Sequence, residues 1–248
     1  MELFYAYEVS GGRCYLDAEE SGHCVRVLRH RAGDALDVID GLGTLYRCTL
    51  EDPSPKAAVA RIEKAEPGWG ARPCRLTIGC CPTKNNERFE WMVEKATEVG
   101  VECIAPLIGD RSERKVYKPE RARRIALSAT KQSLKARIPE VPEPQRVKDF
   151  IQAGPEGALK LIAYCFEDPS APRVSIQEEL EAYEGADVIV LIGPEGDFSP
   201  EEVRLALAAG YKPVHLGPSR LRTETAALTA AMAVYFRYFF LHLSFGKQ

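Results

Sequence analysis

The residues Val188-Ile189-Val190-Leu191-Ile192-Gly193-Pro194-Glu195-Gly196-Asp197-Phe198-Ser199-Pro200-Glu201-Glu202 hold a strand, a turn and a helix start within fifteen positions. The first five form a continuous apolar run, typical of a strand buried on both faces of a parallel sheet. The glycines at 193 and 196 predict a tight turn whose backbone can approach a ligand closely. Ser199, Pro200 and Glu202 match the N-cap, N1 and N3 positions of a capping box. A connection without a ligand fits the same pattern, so that alternative stays open here.

The same alternation of strands and helices runs through the last two thirds of the chain. Strands are predicted at 75–81, 102–106, 159–165, 187–192 and 212–216, and helices at 87–99, 119–135, 175–183, 200–209 and 223–241. This rhythm predicts an α/β domain with a mostly parallel sheet and helices on both faces. Ligands of such sheets bind beyond the carboxyl ends of the strands, so the loops at those ends are the candidate site.

A second turn of the same kind follows the strand at 212–216. It reads Gly217-Pro218-Ser219-Arg220-Leu221-Arg222-Thr223-Glu224-Thr225-Ala226, with Thr223 and Thr225 as side-chain caps of the next helix. Arg222 and Glu224 fall at the junction, where they are either part of a site or plain surface charges. The loop at 163–167 is a weaker third candidate. No Gly-Lys-Ser/Thr sequence is present, and Glu201 and Glu202 would repel phosphate, so a neutral or cationic ligand is favoured.

The first seventy residues predict a different structure. Short strands are expected at 3–7, 34–40, 44–50 and 57–62, with one helix at 19–30, which together suggest a small β-barrel. The Pro- and Gly-rich stretch at 67–73 then marks a boundary. We therefore expect two domains, 1–71 and 72–248.

The net charge of the chain conceals two opposite segments. The 33 basic and 36 acidic residues sum to −3, which gives no support to a nucleic-acid partner. Residues 111–137, however, contain ten basic and two acidic side chains, and residues 156–202 contain two basic and twelve acidic ones. The basic segment is suited to phosphates, although a solvated surface is the plainer interpretation of any charge run.

Several classes of protein are disfavoured by the composition. The most apolar stretch, 226–236, is about half the length of a membrane span, and the first residues lack the pattern of a signal peptide. The eight cysteines and four histidines show no metal-ligand spacing, so we expect no metal and reduced, mostly buried thiols. A cytoplasmic protein without membrane contact is the resulting expectation.

At this point the chain resembles the SPOUT methyltransferases and, more closely, the RsmE family of 16S ribosomal RNA uridine-N3 methyltransferases. The matching stretches are 23–34, 84–88, 95–101, 111–114, 132–133, 138–139, 192–199 and 216–226. Three positions depart from the family's pattern: Asp197 replaces a more usual glycine, Lys131 a common glutamate, and Lys135 lies near a frequent arginine. Asp197 puts the shape of the cofactor loop in question.

The resemblance implies a PUA-like β-barrel that helps to hold RNA, followed by a SPOUT domain whose C-terminal chain forms a deep trefoil knot. It also implies a homodimer acting on 16S rRNA within the small ribosomal subunit, and S-adenosylmethionine as cofactor. The residues expected around that cofactor are Ala163, Tyr164, Ile192, Gly193, Pro194, Glu195, Gly196, Leu216, Gly217, Leu221, Arg222, Thr223, Thr225 and Ala226.

The reaction itself needs the N3 proton of uridine removed and the charge on O2 and O4 stabilised. We expect Arg222 to stabilise that charge, with Glu195 or Glu224 orienting it or accepting the proton. His215 is expected in a strand rather than in catalysis, and Trp91 in the core. The cations expected to hold RNA phosphates are Arg26, Arg29, Lys84, Arg88, Arg111, Arg114, Lys131 and Lys135.

Three alternatives remain on sequence grounds. A related SPOUT enzyme that methylates the ribose 2′-oxygen would share the knot loops. A non-catalytic RNA-binding or assembly factor would keep the fold but lose cofactor binding. A Rossmann oxidoreductase is the weakest alternative, because no Gly-x-Gly-x-x-Gly follows an early strand.

Overall fold

The computed structural model of the chain describes residues 1–167 and 171–245, with side chains described up to residue 238. The chain divides into two compact units. One comprises Met1–Ala71 and Leu127–Ile138, and the other comprises Arg72–Ala126 and the chain from Pro139 onward. A division at a single point in the sequence does not describe this arrangement, because Leu127–Ile138 returns to the first unit.

The first unit is built on a closed five-stranded barrel, as the strand spacing predicted. Its strands are β1 (Leu3–Ser10), β2 (Arg13–Leu16), β3 (Ala35–Ile39), β4 (Thr44–Asp52) and β5 (Val59–Pro67), in the order β1-β2-β5-β4-β3. Parallel pairing of β1 with β3 closes the barrel. Inward-facing side chains such as Phe4, Leu16, Val38 and Leu50 fill it. The short β2 escaped prediction, since four residues carry little periodic pattern.

The helix predicted at 19–30 is shorter than expected and changes type. Helix α1 covers Ala18–Gly22, capped by the Asp17 carboxylate, and a π-helical turn continues over His23–Val27. Arg29 then adopts a left-handed conformation with φ 62°, which ends any helix. Val25 and Leu28 were expected on the apolar face of this helix; Val25 packs against the barrel core, whereas Leu28 is exposed.

The second unit contains a seven-stranded sheet with the order β10-β12-β9-β11-β6-β7-β8. All of its described strand pairs are parallel. The strands are β6 (Arg75–Cys80), β7 (Cys103–Ile108), β8 (Gln145–Arg146), β9 (Leu159–Ala163), β10 (Val174–Ser175), β11 (Asp187–Ile192) and β12 (Lys212–His215). The helices of this unit are α2 (Asn86–Val99), α4 (Val147–Gln152), α5 (Ile176–Glu181), α6 (Pro200–Ala208) and α7 (Thr223–Phe245). Helix α3 (Glu120–Gln132) begins in this unit, and its residues from 127 onward belong to the first unit. The α/β prediction is confirmed, whereas α4, β8 and β10 were missed.

Strand β11 lies in the middle of this sheet and pairs with β6 on one side and β9 on the other. Its residues from Val188 to Ile192 are all buried, as the continuous apolar run predicted. Ile189 and Leu191 pack in the cluster that includes residues of α4 and α6, while α7 contacts β6 and β11 and also packs against α2 and α5. Helices therefore cover both faces of the sheet.

Three further observations bear on the class of protein. Within the described residues, no helix is both long and apolar enough to cross a membrane. No group of three or more His, Cys, Asp or Glu side chains there is arranged to hold a metal ion. All eight cysteines are free thiols; six are buried, Cys103 is half-buried and Cys165 is exposed. The trefoil knot implied by the resemblance stays a prediction.

Candidate active site at the carboxyl ends of three strands

Three parallel strands end at one edge of the sheet, and the loops that follow them enclose a cavity. Strands β9, β11 and β12 end at Ala163, Ile192 and His215. The cavity has a volume of about 1140 Å³. It is lined by the following residues: Ala163, Tyr164, Cys165, Phe166, Glu167, Ala171, Pro172, Arg173, Asp197, Val214, His215, Leu216, Gly217, Pro218, Ser219, Arg220, Leu221 and Ala226. Two of the expected loops, at 163–167 and 216–226, thus form most of its wall.

The expected cofactor residues divide into two groups. Ala163, Tyr164, Leu216, Gly217, Leu221 and Ala226 line the cavity. The remaining eight are not among its lining residues in the described part of the chain: Ile192, Gly193, Pro194, Glu195, Gly196, Arg222, Thr223 and Thr225. The loop after β11 reaches the cavity through Asp197, the residue at which the sequence departs from the family's pattern.

The glycines at 193 and 196 are required by close packing. A Cβ atom on Gly193 would lie 3.1 Å from the backbone nitrogen of Phe198, and one on Gly196 would lie 3.2 Å from the carbonyl oxygen of Arg111. Gly217 is needed for a different reason, because its φ of 109° is a backbone conformation that side chains disfavour. The capping box of α6 is present as predicted, with Ser199 and Glu202 satisfying each other's backbone amides.

Hydrogen bonds between side chains and backbone connect the loops to one another. The buried hydroxyl of Thr223 donates to the carbonyl oxygen of Gly193 at 3.2 Å, which joins the start of α7 to the loop after β11. The carboxylate of Glu195 accepts from the backbone amide of Lys84 at 2.9 Å, which joins the same loop to the segment after β6. Thr223 and Glu195 therefore hold these loops together, and neither residue is among those that line the cavity.

The three candidate catalytic side chains have different surroundings. Arg222 is exposed, and the described residues offer its guanidinium no ion pair or hydrogen bond. Glu224 is 11% exposed at its side chain, and a carboxylate oxygen lies 3.9 Å from Nε of Arg88. Glu195 is exposed apart from its bond to Lys84. The arrangement leaves a free cation and two carboxylates on the loops beside the cavity.

Most of the cations expected to hold RNA are engaged with the chain itself. Arg111 donates to the carbonyl oxygens of Gly196 and Phe198, both at 3.3 Å, and thereby supports the loop after β11. Arg114 donates to the carbonyl oxygens of Thr83 and Lys84. These two arginines are structural supports of the second unit, which their charge alone did not reveal.

The expected lysines are similarly occupied. The ammonium of Lys84 lies 2.8 Å from the carboxylate of Glu113. Lys131 pairs with Glu20, a buried carboxylate of the first unit that also accepts from the amide of Tyr5. Lys131 therefore neutralises a buried acid. Lys135 is half-buried. Arg26 and Arg29 are exposed, and no ion pair within the described residues involves either side chain.

Several lining residues were not expected. Cys165, Phe166, Asp197 and Arg220 lie on the candidate loops but were not among the expected cofactor residues, while Arg173 immediately precedes β10 and His215 ends β12. The imidazole of His215 accepts from the amide of Gly217 at 3.3 Å. Among the described acidic residues of the segment 156–202, only Glu167 and Asp197 line the cavity, and the cations Arg173 and Arg220 line it as well. The acidic segment thus does not make an acidic cavity.

Trp91 corrects another expectation. Its helical spacing suggested a core residue, but its surface is 42% exposed on α2. Trp69 does pack against the small core cluster of the first unit, with its indole nitrogen donating to the carbonyl oxygen of Leu134.

The comparisons with known proteins agree with this geometry. Residues 71–235 match the RNA methyltransferase domain family, and residues 16–63 match the PUA domain of RNA methyltransferases. The chain belongs to the ribosomal RNA small subunit methyltransferase E family. The relative of that name from Mycobacterium bovis is 31% identical over 94% of this chain and 90% of its own length.

Solved structures of this family have the same fold. A crystal structure described as a probable rRNA methyltransferase from Porphyromonas gingivalis is 40% identical, with a TM-score of 0.87 over 97% of this chain and all of that one. The methyltransferase E from Neisseria gonorrhoeae, solved bound to S-adenosylmethionine, is 26% identical, with a TM-score of 0.80 over 96% of this chain and 98% of that one. The barrel is accordingly the PUA-like domain, and the seven-stranded unit is the methyltransferase domain.

Replacing Thr223 with valine tests the bond between the two loops. Valine has nearly the same shape but no donor, so the buried carbonyl of Gly193 would lose its partner, at a cost of about 1–3 kcal/mol in the free energy of unfolding. Urea titration of the Thr223→Val protein measures this loss. Thr223→Ser keeps the hydroxyl and loses one buried methyl group, so it should cost about 0.8 kcal/mol at most. Thr225→Val alters an exposed hydroxyl nearby and should stay within about 0.5 kcal/mol of the wild type. Equal stability of Thr223→Val and wild type would show that the bond contributes nothing.

Proposed function

We propose that this protein transfers a methyl group from S-adenosylmethionine to N3 of a uridine in 16S ribosomal RNA of the small subunit. The observation that carries the proposal is the cavity at the ends of β9, β11 and β12, walled mostly by the loops at 163–167 and 216–226. Sites at the carboxyl ends of parallel strands are where α/β domains hold ligands. The relatives' names and the S-adenosylmethionine in a related structure supply the chemistry. A ribosomal substrate would place the protein in the cytoplasm.

The lining of the cavity suits S-adenosylmethionine. Tyr164 and Phe166 form an aromatic pair with ring centroids 4.7 Å apart, and Leu216 and Leu221 add apolar surface for a planar base. Glu167 offers a carboxylate to the cationic groups of the cofactor, while Arg173 and Arg220 offer guanidiniums to its carboxylate. A volume of about 1140 Å³ is ample for a ligand of that size.

When bound, S-adenosylmethionine supplies an electrophilic methyl group on a positively charged sulfur. The residues of this chain supply the rest. Arg222 carries a guanidinium without a partner among the described residues, so it is available for the negative charge that develops on the uracil oxygens. Glu195 and Glu224 are the carboxylates that orient Arg222 or accept the N3 proton. The target base is normally stacked and must leave the stack to reach these groups.

We also propose that the protein acts as a homodimer, as its resemblance to the SPOUT methyltransferases implies. Helices α2 and α7 pack against each other, and each carries an exposed aromatic residue, Trp91 at 42% and Phe236 at 50%. Large exposed aromatic side chains on adjoining helices are typical of protein interfaces.

The identity of the product tests the proposed reaction. Ribosomal RNA from a strain lacking this protein should lack one methyl group, and incubation of its small subunits with the purified protein and S-adenosylmethionine should restore it as N3-methyluridine. Nucleoside mass spectrometry with a synthetic standard identifies the position. A 2′-O-methylated nucleotide would instead indicate the ribose-methylating alternative. Failure of the protein to bind S-adenosylmethionine in calorimetry would favour the non-catalytic RNA-binding alternative.

The role of Arg222 is tested by substitution. Arg222→Ala should lower the methylation rate at saturating substrates about 100- to 1000-fold, because a stabilising charge is lost from the transition state, while S-adenosylmethionine binding is largely kept. Single-turnover methylation and calorimetry measure the two effects separately. Arg204→Ala, which removes an exposed arginine of α6, is the matched control. A methylation rate near wild type in Arg222→Ala would remove Arg222 from the mechanism.

We propose that RNA phosphates are bound by cations that form no ion pair within the described residues. In the first unit they include Arg26 and Arg29. In the second unit a cleft of about 810 Å³ between the start of α2 and the start of α3 is lined by Lys118 and Arg124. Both are exposed, and neither is in an ion pair within the described part of the chain. Arg121 also lines the cleft, but it pairs with Glu90 at 3.0 Å.

A double substitution of Lys118 and Arg124 by glutamine should weaken RNA binding and its dependence on salt. The logarithm of the binding constant falls as the logarithm of the salt concentration rises, and each lost phosphate contact makes this negative slope shallower by about 0.7 to 0.9. The slope of the double variant should therefore be shallower by about 1.5. Fluorescence anisotropy with a 16S rRNA fragment at several salt concentrations measures it. Arg204→Gln serves as control, since Arg204 already pairs with Glu201. An unchanged slope would exclude the cleft as an RNA contact.

A further inference from the structure

Asp197 occupies a backbone conformation that few residues tolerate. Its φ is 65°, in the left-handed region, where glycine, asparagine and aspartate are the residues usually found. Aspartate keeps the backbone shape that a glycine would allow, and it adds a carboxylate at the wall of the cavity.

The carboxylate of Asp197 connects two loops that the sheet itself does not hold together. One oxygen accepts from the backbone amide of Cys165 at 2.8 Å, and the other accepts from the amide of Phe198 at 2.8 Å. The last pair of the β11–β9 ladder is Ile192 with Ala163, so Cys165 and Asp197 lie beyond the last backbone bonds between these strands. The side chain of Asp197 therefore continues the connection past the sheet edge.

We propose that Asp197 is a positioning residue that fixes the loop after β9 against the loop after β11 before the cofactor binds. Both Asp197 and Cys165 line the cavity, so the bond between them fixes the distance between the two loops that form this part of its wall. Binding to a wall that is already fixed avoids the entropic cost of ordering two loops. The inference rests on the proposed function in one respect, that this cavity receives S-adenosylmethionine.

The carboxylate of Asp197 could act through its hydrogen bonds or through direct contact of its charge with the cofactor. Both carboxylate oxygens already accept a backbone amide, which favours the positioning role over direct contact with the positive sulfur. The two roles predict different ligand preferences. S-adenosylhomocysteine has the same adenosine and amino-acid groups as S-adenosylmethionine but a neutral sulfur, so only a direct charge contact would discriminate between them.

Cys165 provides a local reporter that needs no cofactor. It is the exposed cysteine of the eight, and Cys103 is half-buried. Partial desolvation and then the carboxylate of Asp197 raise the pKa of its thiol, while Arg173 and Arg220 lower it. Because the thiolate is the reactive form, removing the carboxylate should shift the pH profile of Cys165 alkylation to lower pH.

The experiment compares three proteins: wild type, Asp197→Gly and Asp197→Asn. Glycine accepts the left-handed backbone without strain but removes the bond, whereas asparagine keeps one oxygen for the Cys165 amide and removes the charge. Hydrogen exchange at the Cys165 amide should therefore become faster, by about tenfold or more, in Asp197→Gly only. The alkylation profile should shift in both variants, which confirms that the carboxylate has been removed.

Calorimetry then gives the dissociation constants of S-adenosylmethionine and S-adenosylhomocysteine. We expect Asp197→Gly to weaken both ligands about 5- to 20-fold and to the same extent, and Asp197→Asn to stay within about threefold of wild type for both. Leu134→Gly is the matched control, because it places glycine at another left-handed residue, in the first unit. It should leave both dissociation constants unchanged.

The positioning role is supported if, across the three proteins, cofactor binding is weakened only where exchange of the Cys165 amide is faster. Loss of binding without faster exchange, or faster exchange without loss of binding, overturns it. So does a loss in Asp197→Asn that is confined to S-adenosylmethionine, which would make the carboxylate a direct partner of the sulfonium. If wild type binds neither ligand, the proposed function fails, while the exchange and alkylation data still show whether the Asp197–Cys165 bond exists.

Discussion

The parallel alignment of β9, β11 and β12 is the constraint on which the candidate active site depends. Parallel strands must end at a common edge, so three loops that are far apart in the sequence leave the sheet side by side. The burial of β11 on both faces fixes that edge in the middle of the domain. A less apolar β11 would lie at the margin of a sheet, and its loop would have neighbours on one side only.

Beyond the edge of the sheet, side chains take over the role of the backbone ladder. Thr223 holds the carbonyl of Gly193, Glu195 holds the amide of Lys84, and Asp197 holds the amide of Cys165. Each bond joins two loops that follow different strands. The glycines at 193 and 196 permit the close packing that these bonds require. The cavity is thus formed by a small number of directional contacts on top of a rigid sheet, which is the usual way in which loops carry function.

Much of this architecture was predictable from the sequence because periodicity and turn chemistry act locally. The bounds of β11 and the capping box at Ser199 follow from residues next to each other, and the structure confirms both. The π-helical turn at His23–Val27 and the exposure of Trp91 were not predictable in the same way. Helical spacing says which residues share a face, but it does not say whether another element covers that face.

The candidate site shows the same limit at the level of single side chains. Six of the expected cofactor residues line the cavity: four come from 216–226, which contains the Gly217 turn after β12, and two, Ala163 and Tyr164, come from the weaker candidate loop after β9. Asp197 was noticed only as a departure from a glycine, and its bond to Cys165 could not be anticipated because the two residues are 32 positions apart. The sequence identifies a charged group, whereas the fold determines what the group pairs with.

The same reasoning changes the interpretation of the basic segment. Ten positive charges in 27 residues suggest a strong attraction for phosphates, yet a cation attracts RNA only to the extent that nothing else has neutralised it. Within that segment Arg121 pairs with Glu90, Arg123 with Glu143 and Lys131 with Glu20. Arg111 and Arg114 donate to backbone carbonyl oxygens, which orients their side chains but leaves their charge in place. Lys118 and Arg124 pair with no acid in the described part of the chain and lie in one cleft. They are therefore the members of the segment that we propose as phosphate contacts, a choice that depends on the pairing the fold imposes and not on the sum of the charges.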